Sequence, residues 1–145
     1  MEYSIGMGQS VALEAVFGTG VLEIIAVNNT KETVTIIALP RYFVIEVEDA
    51  LGQFVRGGAV SGALPSAGDY RALKPAERMT LLVLPVARSG DQVTIGDHTF
   101  PDVAPRGRAR VTYKADRVMP NLPKSKQKSF VAGPLDALTL PIPPE

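Results

Sequence analysis

Cysteine is absent from this 145-residue chain, and histidine occurs once, at His98. The first absence excludes disulfides, thiolate metal sites and cysteine nucleophiles. The second rules out a His-rich metal site and leaves a single side chain to act as base in a Ser-His-Asp triad. None of the seven serines lies in a Gly-x-Ser-x-Gly elbow, so His98 reads as a turn histidine beside Gly96-Asp97. Long apolar runs are missing too, and no stretch reaches the length of a membrane span. The first residues, Met1 to Gly8, carry neither a basic n-region nor a continuous apolar h-region, so they are not an intact signal peptide. Met1 is either a natural start or the replacement for a removed leader.

What is present is the grammar of a β protein. Twelve prolines and thirteen glycines fall between apolar runs rather than in one tract. The length suits a single domain, residues 1–145, with its core within about 11–142. Val11, Leu13, Ala15 and Phe17 alternate with their neighbours as a first strand, which Gly18-Thr19-Gly20 turns. Val21 to Val27 is apolar on both faces, as an interior strand would be. Asn28-Asn29-Thr30-Lys31 is turn chemistry, and it contains a glycosylation sequon expected on the surface. Thr33 to Leu39 follows as a strand that Pro40 ends.

The clearest hairpin runs from Leu39 to Arg56. Phe43, Ile45 and Val47 share one face and Glu46 and Glu48 the other, with Asp49-Ala50-Leu51-Gly52 as the turn. A small-residue loop, Gly57 to Gly68, comes next; unstructured loops of that length are often functional. Met79 to Leu84 is another apolar strand, and Asp91 to Phe100 reads as a hairpin turning at Gly96-Asp97. In the next strand Ala109, Val111 and Tyr113 point inward, with Arg108, Arg110, Thr112 and Lys114 outward. A polar loop covers Pro120 to Ser129, and Leu138, Leu140 and Ile142 form a last strand stopped by prolines. Short strands at regular spacing predict an all-β fold, a single antiparallel two-sheet sandwich of immunoglobulin-like type with seven to nine strands.

Four stretches carry a family resemblance. Val21 to Thr35, with Asn28-Asn29-Thr30 between strands, resembles the strand–turn–strand of small bacterial immunoglobulin-like domains. Phe43 to Val55, with Asp49 and Gly52, is similar to their D-x-x-G hairpin. Asp69-Tyr70 and Leu73-Lys74-Pro75 with Glu77 look like their turn before an apolar strand, although Ala76 stands where glycine is usual. Phe130 to Asp136 is similar to their closing strand, with Asp136 in place of a serine. The layout resembles the bacterial intracellular proteinase inhibitor family and the sandwich domain that precedes deuterolysin-type proteases. That resemblance implies a fold and a non-catalytic role, and it identifies no binding residues.

Three candidate sites stand against bland readings. Glu46 and Glu48, about 7 Å apart along one strand face, suit acid–base chemistry or Ca²⁺ only if partners exist, and otherwise form a solvated face. Charge is uneven: residues 101–130 hold eight basic residues against two acids, and residues 1–50 hold two against seven. Arg106, Arg108, Arg110 and Lys114 thus form a candidate anion-contact stripe, or else pair with an acidic strand. Nucleic acid is disfavoured, because Tyr113 is the only nearby aromatic and it points inward. Val60, Leu64 and Pro65, expected to be exposed in the Gly57–Gly68 loop, are the candidate contact for a protein partner. Ser125 to Lys128 matches Ser-x-x-Lys, but its companion motifs are missing and the match is set aside.

The expected function is a non-enzymatic protein-interaction or structural module. The alternatives are a proteinase inhibitor acting through an exposed loop and, more remotely, a small hydrolase built on His98. No cofactor is expected. Comparable sandwiches are often exported, which favours periplasm or cell surface over the cytoplasm.

Overall fold

A computed structural model describes residues 10–57 and 64–144. Among the described residues all regular structure longer than a single 3-10 turn is β, and the strands form antiparallel sheets packed in a sandwich-like arrangement. Among the described residues there are eleven strands in three sheets, rather than the seven to nine strands in two sheets expected. The first sheet holds β1 (Val11–Gly18), β2 (Val21–Asn28), β7 (Arg78–Ser89), β8 (Gln92–Ile95) and β9 (His98–Phe100), in that order across it. The second has the order β11 (Leu135–Pro141), β10 (Arg108–Tyr113), β4 (Phe43–Glu48), β5 (Phe54–Arg56). The third pairs β3 (Val34–Ile37) with β6 (Tyr70–Leu73).

The extra strands have physical causes. β6 reads Tyr-Arg-Ala-Leu with buried ends and an exposed middle, so it lacks the alternation that marks a half-buried strand. It exists because residues Ile37 to Val34 of β3 pair with it. β7 runs through Pro85, where proline would be expected to end a strand. There the partner changes: Val21 of β2 lies opposite Pro85, while Val86 already pairs with Ile95 of β8. The last strand starts at Leu135 and includes Pro141, which sits at its end opposite Arg108.

β2 is interior, flanked by β1 and β7. A register shift sets Ile24 opposite Leu82 but Ile25 opposite Thr80, so Leu81 is the extra residue. Three consecutive residues of β2, Ile24 to Ala26, are buried around that bulge. The core joins Leu22 and Ile24 to Ile36, Ile37, Val47, Leu73, Val93, Val111 and Tyr113. Tyr113 is fully buried; its hydroxyl donates to the Val131 carbonyl at 2.9 Å and accepts from Ile37 N at 3.4 Å. Desolvation pushes that hydroxyl's pKa well above the ordinary tyrosine value.

Asn28 lies where the strands meet their turns, and it is fully buried rather than on the surface. Its Nδ2 donates to the carbonyls of Glu32 (2.8 Å) and Leu73 (3.0 Å), and its Oδ1 accepts from Thr30 N (2.9 Å) and Thr30 Oγ1 (2.6 Å). Both amide hydrogens of the sequon are therefore in use, and the folded chain offers no free acceptor for a glycan there. Among the described residues no helix is long and apolar enough to cross a membrane.

Candidate functional site

The basic stripe is met by the acidic strand. β10 lies beside β4, with Arg110 opposite Glu46. Arg108 grips Glu48 in a fork, Nε to Oε1 and Nη2 to Oε2 at 3.2 Å each, and Arg110 Nε donates to Glu46 Oε1 at 3.0 Å. Both guanidiniums also lie over the Phe54 ring of β5, 4.5 Å from its centroid for Arg110 and 5.8 Å for Arg108. The hydrogen bond from Arg108 holds the Glu48 carboxyl below the usual carboxylate range, and the two arginines are raised in turn by their partners. Glu46, Glu48, Arg108 and Arg110 thus form one charge-balanced ladder, neither an unpartnered carboxylate pair nor a free cationic stripe. Arg106 and Lys114 are exposed beyond opposite ends of β10, roughly 25 Å apart at the rise of an extended chain. Among the described residues, no group of three or more His, Asp or Glu side chains is placed to share a metal ion.

The partner-loop expectation divides. Val60 lies outside the described residues. Leu64 is 64% exposed, as expected. Pro65 is buried, contrary to expectation, because the segment is tied down from both sides. The Pro65 carbonyl accepts from Asn121 Nδ2 at 2.8 Å, and Ser66 donates its N–H to Asp69 Oδ2 at 2.8 Å, closing a short 3-10 turn. The buried Tyr70 hydroxyl, its pKa raised mainly by desolvation, donates to the Pro120 carbonyl. Leu64 therefore projects from a fixed base. In the segment leading to Asn121, Val118 is 89% exposed. Nothing in the local sequence marks Val118 as exposed; Asn121, three residues on, is drawn to Pro65.

A third feature lies between the sheets. Phe43 and Ile45 of β4 face Leu82, Leu84 and Pro85 of β7 across a cavity of about 170 Å³, which Pro40, Ile95, Gly96, Asp97 and His98 complete. The β8–β9 turn is the two-residue Gly96–Asp97 loop expected, with Ile95 opposite His98 and Gly96 at φ +60°. His98 begins β9, half-buried, with its ring edge-on to Phe100 at 6.3 Å. Gly57 packs against it: a Cβ there would stand 3.0 Å from the His98 ring and 3.2 Å from Phe100, so a side chain where the long loop leaves the sheet would press on both rings. Among the described residues the cavity lining has no hydroxyl for His98 to activate. Its residues come from three separate stretches of chain, which is why the sequence alone does not show it.

Comparison of the chain with protein-family models, with curated proteins and with solved structures gave no match.

Proposed function

We propose that this protein is a non-catalytic interaction module of the bacterial immunoglobulin-like type, and that its partner is another protein. The sandwich of antiparallel sheets and the Asp49 turn support the class. In that turn Asp49 Oδ1 accepts the N–H groups of Leu51 and Gln53, and Gly52 takes φ +79°. The observation that carries the reading is the presentation of Leu64 and Val118. Both are large apolar side chains held out to solvent, linked through the Asn121–Pro65 hydrogen bond. Exposed apolar residues on a fixed base lose little conformational entropy on docking, which is what an anchor residue requires.

Site-specific photo-crosslinking tests this. A photoreactive residue at position 64 or 118 should give the same protein adduct from the native host. One at Leu51, 83% exposed in the turn at the far end of β4, should not. Leu64→Asp should remove the adduct formed from position 118. Identical adducts from all three positions would overturn the proposal. A protease in the specific adduct would convert it to the inhibitor reading, which a panel of purified serine and metalloproteases then checks.

A further inference from the structure

We infer that the cavity between β4 and the β7–β9 strands binds a small apolar molecule, a single aromatic ring or a short branched chain, whose one polar end stays at the Gly96–Asp97–His98 turn. Size is the first argument. About 170 Å³ is close to the roughly 150 Å³ apolar cavity known to accept benzene, and too small for a strand or helix of a partner. The second is the lining. Seven of its ten residues are apolar, and the exposed Pro40 and Pro85 leave its mouth open, so an apolar ligand can enter from solvent and displace water that these walls hold poorly. The third is pre-organisation. Phe43, Ile45 and Ile95 sit on paired strands and are 5%, 5% and 0% exposed, so the site stands without rearrangement. Charge sets the last constraint. Asp97 is the only acid of the lining, and it disfavours an anionic end group while accepting a donor or a cation.

The test needs no protein partner, so its failure is distinct from failure of the interaction reading. Methyl-resolved NMR of the whole chain is titrated with toluene, phenethylamine and phenylacetate. Toluene and phenethylamine should shift the Ile45, Leu84 and Ile95 methyls in a saturable way, and phenylacetate should bind about tenfold more weakly or not at all. Leu84→Phe and Leu82→Phe, two independent ways to fill the space at half-buried positions, should each abolish the shifts while keeping the rest of the spectrum. Several results would overturn the inference: no saturable shift from any probe, equal affinity for phenylacetate, or undiminished binding in both filled variants. Contacts between the Val60 methyls and Ile95 in the free protein would do so as well, because the chain would then fill its own cavity.

Discussion

Replacing Asn28 tests how the turns are joined to the core. Its side chain makes four hydrogen bonds. Its backbone makes two more, N donating to the Glu77 carbonyl at 2.9 Å and O accepting from Ala76 N at 2.8 Å. Three segments meet there: the end of β2, the Asn29–Thr33 turn and the turn between β6 and β7. In Asn28→Ala the backbone pair survives, but the Leu73 carbonyl loses its donor inside the protein, while Thr30 and Glu32, nearer solvent, recover part of their loss from water. At about 1 kcal/mol per net hydrogen bond, with about 1–3 for the buried orphan, the expected cost is about 3 kcal/mol. That is a large share of the 5–15 kcal/mol typical of a domain. With a urea m-value of about 2 kcal/mol/M, it lowers the midpoint by roughly 1.5 M.

Asn28→Asp sharpens the argument. It keeps the acceptor role towards Thr30 but points an anionic oxygen at two carbonyls, so burial and repulsion raise its folded pKa above the unfolded value near 4. A group raised in this way is fully tolerated below its unfolded pKa and costs stability as pH rises through the folded one. The Asp variant should therefore lie further below wild type at pH 7 than Ala does, and the gap should narrow towards pH 4. Urea melts followed by far-ultraviolet circular dichroism at both pH values read this directly. A cost under about 0.5 kcal/mol for Ala, or an Asp deficit independent of pH, would refute the view of Asn28 as the tie between these turns.

Ala76 takes φ +65°, where a Cβ is disfavoured by about 1–2 kcal/mol. Against the extra chain entropy of glycine, Ala76→Gly should still raise stability by about 0.5–1 kcal/mol, seen as a higher urea midpoint. Tyr113→Phe forfeits the hydroxyl's bonds to Val131 and Ile37 and should cost about 1–2 kcal/mol at pH 7. Because burial raises the folded pKa of Tyr113, wild-type stability should fall as pH climbs past about 10, and the Phe variant, compared by melts at pH 9 and 11, should fall less steeply. Glu48 is depressed by Arg108, so their contribution is present at neutral pH and lost as pH drops through the lowered folded value. An Arg108→Met variant should show a flatter acid limb between pH 5 and 2 in the same melts.

Much of the fold was legible where one face of a strand is buried and the other wet. Phe43 to Glu48 alternates cleanly with the expected residues inside, and Arg108 to Tyr113 does so except at Thr112, which was expected outward but is buried and donates to Asp136 Oδ1. Asp49 and Gly52 marked their turn because its geometry needs a side-chain acceptor and a positive φ. Legibility failed where pairing is long-range or local rules conflict. β6 owes its existence to β3, 33 to 39 residues earlier, and β7 passes a proline because its partner changes at that point. Ala76 was visible in sequence, but only its left-handed backbone, φ +65°, shows that the position favours glycine. Of the site candidates, the arginines and glutamates were recognised separately. Their ladder needed the β4–β10 register, and the cavity needed three stretches of chain at once.

The strand edges carry a consequence for handling the protein. β5 and β9, which end their sheets, are three residues long, and β11 carries a proline at its end. The longest edge strand, β1, lies against β11 of the other sheet. A second chain that docks by adding a strand needs an accessible ladder of several residues. The described strands offer little of one, so turbidity on storage or heating should track the unfolded fraction and disappear under conditions that raise the melting temperature.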